Sequence, residues 1–216
     1  MPRSKEQEQE RLRALFAFER GLCQAGALVV AGVDEVGRGP LAGPVSAGAC
    51  VLDPQIDIPY LNDSKKLSEK RREEVAAVLR QQALAWHVAH VPAEVVDACG
   101  IMAALRQAMT EAVAGLSIAP EVVLLDGRPL GLWPGERAVV KGDGKIACIA
   151  AASVLAKVER DAFMREADRC YPGYGFAHNK GYGTAEHIDA IRAGGLSPLH
   201  RRSFCGDFVK PVLFKI

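Results

Sequence analysis

The chain has 216 residues, 49% of them hydrophobic and 25% charged, enough apolar sequence to fill a core without a disulfide or metal staple. Its formal charge of +1, from 27 basic and 26 acidic residues, neither demands nor excludes nucleic acid, because phosphate binding depends on local clusters such as Lys65-Lys66 with Lys70-Arg71-Arg72, Lys141 with Lys145, and Arg201-Arg202. No run approaches the ~18 apolar residues of a membrane span, the polar N-terminus lacks the apolar core of a signal segment, and the six cysteines form no CxxC pair, so a cytoplasmic protein with reduced thiols and no membrane contact is expected.

In chain order, residues 4–20 carry Leu12, Leu15, Phe16 and Phe18 among charges and predict a short amphipathic helix. The apolar run Ala27 to Val33 predicts a buried strand ending at Asp34, and Pro44 to Leu52 a second strand across a Gly/Pro-rich turn. A helix over 68–84 follows, with Ser68 as N-cap, then a strand over Ala85 to Val91 that Pro92 ends. Residues 102–115 have helical spacing. Val122 to Leu125 and Ala138 to Val140 read as short strands, and the Ala-rich segment from Ile146 to about Cys170 as a long helix. A loop at 171–176, a helix at 184–194 and an irregular end complete an α/β layered domain without internal repeats.

Asp34, Asp126 and Asp143 each end an apolar strand-like run and are followed by glycine or by Glu35 and then Gly37. Ligand-binding groups collect at strand ends in such sheets. Four carboxylates gathered there repel one another and need protons or cations. An all-oxygen donor set favours Mg²⁺ or Mn²⁺, and two such ions can activate a water and stabilise a leaving oxygen. Adjacent Asp34 and Glu35 point to opposite faces of a regular strand, so a shared site requires the strand to end or bend there. A strand-end Asp is more often a turn former or helix cap, and spacing alone leaves these two readings balanced. Glu111 and Asp161 fall on helix faces and read as solvated charges.

The run Gly32-Val33-Asp34-Glu35-Val36-Gly37-Arg38-Gly39-Pro40-Leu41-Ala42-Gly43-Pro44 closely resembles the opening motif of bacterial ribonuclease HII, a type 2 ribonuclease H. The resemblance continues in order through 61–68, 125–127, 140–143, 150–158, Lys180-Gly181-Tyr182 and 200–204, covering about residues 28 to 206. It implies a ribonuclease H-like fold, with a central mixed β-sheet flanked by helices and a helical C-terminal part. It divides the chain into an N-terminal helical extension, 1–25, and a catalytic domain, 26–216.

It also implies hydrolysis of the RNA strand of RNA–DNA hybrids and cutting 5′ of single ribonucleotides in duplex DNA. The family's metal-binding carboxylates fall on Asp34, Glu35, Asp126 and Asp143, its 2′-hydroxyl and phosphate contact on Gly37, Arg38 and Gly39, and its junction-sugar tyrosine on Tyr182. Glycine lets a backbone approach the sugar closely, and the 2′-hydroxyl separates RNA from DNA. Within this frame Lys65, Lys66, Lys157, Lys180, Arg201 and Arg202 become candidates for backbone phosphate contacts. Ser153 and Lys157, four apart, share a helix face that can turn to the duplex.

Gly144 stands where the family usually has Ser, and Asn179 separates His178 from Lys180-Gly181-Tyr182, departures that touch only loop geometry and phosphate contact. The tail Phe208 to Phe214 is read as core cover, with docking on a sliding clamp as the alternative, and a monomer is expected. Ribonuclease HIII, another ribonuclease H-fold nuclease and a silent duplex-binding module are the rivals; the last would have lost at least one of the carboxylates, all of which are present.

Overall fold

The computed structural model describes residues 4–209. Strands β1 (Val30–Val36), β2 (Val45–Val51), β3 (Ala85–Val91), β4 (Val122–Asp126) and β5 (Glu136–Val139) form one mixed sheet in the order β3-β2-β1-β4-β5. β1, β2 and β3 pair antiparallel as a meander, while β1, β4 and β5 run parallel.

Nine helices accompany the sheet among the described residues: α1 (Lys5–Leu15), α2 (Ala17–Gln24), α3 (Glu69–Gln82), α4 (Ala93–Cys99), α5 (Ile101–Ala114), α6 (Ala147–Cys170), α7 (Phe176–Asn179), α8 (Ala185–Gly194) and α9 (Arg202–Cys205). Ser68 caps α3, accepting from the Arg71 amide, as its position before a charged helical run requires. Pro92 ends β3 and at once begins α4, a helix absent from the sequence expectation; proline suits a helix start, where its missing N–H has no intrahelical partner.

Two apolar layers sandwich the sheet. On one face α5 packs Ala104, Leu105, Ala108, Met109 and Ala112 against Val33, Ala47 and Leu125. On the other, α6 packs with α3, α1 and α2 over Cys50 and Leu124. The first three turns of α6 are buried all round, from Ala147 to Ala156. That demands small side chains, and two glycines carry the closest approaches. A Cβ on Gly32 would lie 2.2 Å from the Cys148 carbonyl carbon, and one on Gly48 would lie 2.4 Å from the Ala152 oxygen.

The N-terminal helix of the sequence reading is two helices, α1 and α2, broken at Phe16. Leu12, Leu15, Phe16 and Leu22 join the α6-side core, whereas Phe18 is exposed. The buried Glu19 of α2 accepts from the amides of Cys148 at 2.6 Å and Ala147 at 3.3 Å. It thus caps α6, whose own preceding residue, Ile146, supplies no side-chain cap.

The C-terminal helices lie against the loop that joins β1 to β2. Phe208 is half-buried against Leu41, Ile191 and Cys205; the remainder of the tail, from residue 210, lies outside the described residues, so the core-cover and clamp readings are addressed only at its first residues. All six cysteines are free thiols, and no described helix is long and apolar enough to cross a membrane.

Candidate active site

Parallel pairing brings the site together. Val33 of β1 stands opposite Leu125 of β4, so the next residues along, Asp34 and Asp126, are side by side, and β5 leads through Lys141 into the 3-10 turn Gly142–Gly144 that carries Asp143. Lys141 takes the left-handed conformation at φ 57°, and the Gly142 amide donates to Asp126 Oδ1 at 2.6 Å, which locks that turn onto the end of β4. The result is that one carboxylate oxygen from each of Asp34, Asp126 and Asp143 lies within 4.8 Å of the others.

β1 does not stop at Asp34, as the sequence reading expected, but continues to Val36. The pleat therefore acts: Gly32 and Asp34 face α6, while Val33 and Glu35 face α5. Glu35 lies outside the three-carboxylate group and borders a cleft with Arg38, Met102, Leu105, Asp126 and Arg128. Asp126, at its strand's end, borders both, so the four acids form one continuous edge.

Burial makes this edge unstable as a set of bare anions. Asp34 is 4% exposed. Its carboxyl is pushed up to about 8 by burial first, then by the charges of Glu35 and Asp126, against the lowering effects of the Ser153 hydroxyl and the Glu35 amide. Asp143 is also raised, chiefly by burial and by Asp126 and Asp63, with Lys65 opposing. Such a group holds protons or a cation. Oxygen donors alone, close together and shielded from water, fit a hard divalent ion.

Lys65 Nζ lies 3.5 Å from Asp143 Oδ2 on a side chain 79% exposed. Burial pulls its ammonium down, but Asp143, Asp34 and Asp63 outweigh that and raise it. Lys66 is exposed beside Asp63.

The Gly37–Arg38–Gly39 loop follows β1 directly. Gly37 has φ 88°, and a Cβ there would strike Arg160 Nε at 2.3 Å, so glycine is required by both conformation and space. Arg38 is half-exposed, touching Glu35 at 3.3 Å. Nothing stands within 4 Å of a Cβ on Gly39, which leaves that side of the loop open.

Tyr182, 44% exposed, sits on a neighbouring loop tied to this one by bonds from the Leu41 and Ala42 amides to Gly181 O at 2.8 and 3.3 Å. Beneath it runs a buried relay. The Ser197 amide donates to His200 Nδ1 at 2.9 Å, so the proton of His200 sits on Nε2, 3.0 Å from His187 Nε2; His187 then carries its proton on Nδ1 and donates to Tyr182 O at 2.9 Å. Burial lowers both histidines, His200 to about 4 with His187 adding to the effect, and the chain of bonds holds only while both are neutral.

Several sequence-assigned contacts take other roles. Arg201 is fully buried and donates to Gly37 O, Arg38 O and Gly43 O, so it braces the loop from inside instead of meeting a phosphate. Ser153 faces inward, 2.9 Å from the Ser64 hydroxyl. Lys157 pairs with Asp161 at 2.6 Å, and Asp161 is buried, not solvated, because it compensates that lysine inside the helix packing. Lys180 bends back onto Ala177 O. Glu111 is exposed, as expected, with Gln107 beside it. Asn179 donates to Tyr174 O and accepts from the Gly181 amide, shaping the turn before Tyr182.

Sequence reasoning missed Arg160, His187 and Glu19. For Arg160 a signal existed, since it continues the buried stripe Ala152, Ala156, Arg160, Met164 at four-residue spacing. Nothing local marks Glu19, whose partners are more than a hundred residues away.

The family model for ribonuclease HII matches residues 31–206. The ribonuclease HII of Moorella thermoacetica is 50% identical over 198 residues, covering 91% of this chain and 96% of the relative. Among solved structures, ribonuclease H2 from Pyrococcus horikoshii superposes with a TM-score of 0.73 at 26% identity, over 84% of this chain and 97% of that one. Ribonuclease HII in the PCNA:RNase HII complex from Archaeoglobus fulgidus superposes with a TM-score of 0.67 at 27% identity, over 81% of this chain and 94% of that one. The chain belongs to the ribonuclease HII family of ribonuclease H endonucleases.

Proposed function

We propose that this ribonuclease H cuts the RNA strand of RNA–DNA hybrids and the 5′ side of single ribonucleotides embedded in duplex DNA, leaving 3′-hydroxyl and 5′-phosphate ends. The observation that carries the reading is the convergence of two buried carboxylates, Asp34 and Asp143, and the half-buried Asp126 within 4.8 Å beside a glycine loop tied to an exposed tyrosine. Asp34, Asp126, Asp143 and, from the α5 side, Glu35 would hold two divalent ions, Mg²⁺ or Mn²⁺. Those ions, when bound, acidify an attacking water and neutralise charge on the leaving oxygen.

The chain's own residues do the rest. Arg38 is exposed enough to swing from Glu35 and fork onto a phosphate. The open side of Gly39 admits a sugar edge, and the 2′-hydroxyl is read by the loop backbone. Tyr182 offers a flat ring under the junction sugar. Lys65, exposed beside Asp143, and Lys66, exposed beside Asp63, take duplex phosphates. The protein acts as a cytoplasmic monomer whose tail, Phe208 to Phe214, serves as core cover; docking of that tail on a sliding clamp is the alternative, and the Archaeoglobus relative has been solved in complex with PCNA.

Incubation with Mg²⁺ or Mn²⁺ and a duplex containing one ribonucleotide is expected to give a single 5′-side cut, with an all-DNA duplex left intact. Cutting of the all-DNA control, or no cutting of either, overturns the reading. Tyr182→Ala should lower the rate by roughly 10²-fold through lost positioning, while calorimetric titration finds metal binding unchanged.

A further inference from the structure

Two guanidinium groups, Arg160 and Arg201, are the largest fully buried side chains among the described residues. Every hydrogen bond that either makes there goes to a backbone carbonyl. Arg160, from α6, donates through Nε to Pro44 O at 2.9 Å, through Nη2 to Ala42 O at 3.2 Å and through Nη1 to Lys180 O at 3.0 Å. Arg201 donates through Nη2 to Gly37 O at 2.7 Å and Gly43 O at 2.9 Å, through Nη1 to Arg38 O at 3.0 Å and through Nε to Gly43 O at 3.1 Å.

One arginine thus clasps the loop that carries Arg38, and the other joins that loop to the one that carries Tyr182. The fit is close enough to shape the sequence. A Cβ on Gly37 would lie 2.3 Å from Arg160 Nε, and one on Gly43 would meet Met164 Sδ at 2.4 Å and Arg160 Nη2 at 3.2 Å.

Burying a charge is expensive, several kcal/mol per ion even after relaxation, and a well-packed apolar side chain of similar volume often serves stability better. What an apolar side chain or a lysine cannot do is hold several carbonyls at fixed mutual distances. The planar guanidinium presents five donors in one rigid fork. We infer that Arg160 and Arg201 are positioning residues that set the spacing between the Gly37–Arg38–Gly39 loop and Tyr182, and hence the alignment of the ribonucleotide with the carboxylates. This rests on the reading above, in which those two loops touch the substrate.

The test uses Arg160→Lys and Arg201→Lys in the full chain, which keep the charge and remove the fork. With the single-ribonucleotide duplex, kcat is expected to fall roughly 10²-fold, as for a misplacement of about 1 Å, with KM and Mn²⁺ affinity changed less than about threefold. Each lysine variant is then combined with the residue it acts through: Arg201→Lys with Arg38→Ala, and Arg160→Lys with Tyr182→Ala. Positioning through a loop predicts that the double variant is little slower than the slower single one, whereas losses that multiply, or lysine variants that keep the wild-type rate, overturn the inference.

If a lysine variant does not fold, amide exchange in the wild type decides. The Leu41, Ala42, Gly43 and Tyr182 amides, bonded to Gly181 O, Leu199 O and Asn179 O, should exchange as slowly as those of β1, and loop-like exchange overturns the inference. Wild-type protein that fails to cut the ribonucleotide duplex, or Arg38→Ala and Tyr182→Ala that cut at the wild-type rate, removes the substrate reading itself and this inference with it.

Discussion

Asp34→Asn is expected to lower the cleavage rate by about 10³-fold or more while raising the stability of the metal-free protein near pH 8. The first effect follows from charge. A metal-held reaction draws several kcal/mol of transition-state stabilisation from its ligands' negative charge, and about 4 kcal/mol is 10³-fold in rate. Asparagine keeps the volume and can still accept from the Glu35 amide, now 2.8 Å from Asp34 Oδ1, so the fold is spared.

The second effect follows from the raised carboxyl, whose causes are burial, then Glu35 and Asp126. An unfolded chain releases the Asp34 proton near pH 4, but the folded protein without metal retains it until about pH 8. Between these values the folded state binds more protons than the unfolded state, so stability falls as pH rises, and it levels off above about 8. Removing the charge should restore on the order of 2 kcal/mol near pH 8, a rise of roughly 4–8 °C in Tm.

Melting in a chelator at pH 5 and pH 8 should show the gap between variant and wild type widening with pH. Adding Mg²⁺ should then raise the wild-type Tm and leave the variant nearly unmoved. A variant that cuts at the wild-type rate, or a gap in Tm that ignores pH, contradicts the assignment of Asp34.

Gly32→Ala should destabilise the protein by about 3 kcal/mol or more, among the largest effects of any single methyl group in this fold. The new Cβ would sit 2.2 Å from the carbonyl carbon of Cys148, 2.3 Å from Ile149 N and 2.5 Å from Cys148 O. All three are backbone atoms in the first turn of α6, which Glu19 pins and the core surrounds, so no side chain can swing aside. Relief requires lifting α6 off the sheet.

Gly32 and Asp34 share one face of β1, and Ser153, whose hydroxyl faces Asp34, rides on α6. The residual folded fraction should therefore cut slowly as well. Urea denaturation measures the loss, with Gly39→Ala as a comparison for stability, since its Cβ meets nothing within 4 Å. An unfolding midpoint for Gly32→Ala that matches wild type would show that the sheet and α6 are not in the contact described.

Much of the architecture was legible in the sequence because local rules govern it. The strand from Ala85 to Val91 and the α3 cap at Ser68 match the expectation residue for residue, and α6 falls within one residue of its predicted start. Alternation, capping chemistry and alanine content act over a few residues, and nothing in the tertiary structure overrides them there. The short helices α4, α7 and α9 were not legible: each is seven residues or fewer, held by packing and by neighbours distant in sequence.

The candidate site divides the same way. Asp34, Asp126 and Asp143 were visible as acids ending apolar runs, and the family resemblance supplied a reason to group them. Their placement within 4.8 Å is set by parallel pairing of β1 with β4 and by the left-handed turn at Lys141. Arg201 misled because a basic residue beside another basic residue resembles a surface patch, and only burial reveals that its donors point inward to Gly37, Arg38 and Gly43. Asp161 misled in reverse, an acid on a helix face whose other partner, Lys157, is drawn in with it.

By itself the sequence determined the five strands and the longer helices in chain order, the chemistry of the acidic residues and the glycines that allow close approach, since each of these depends on the residue type and its near neighbours. The tertiary structure alone decided on which side of β1 each acid stands and which charges meet water. Those outcomes depend on pleat, register and the packing of α6, which join residues far apart in the chain: the pleat sets Glu35 apart from Asp34, and burial takes Arg201, read from sequence as a surface cation, to the carbonyls of Gly37 and Arg38 inside the loop after β1.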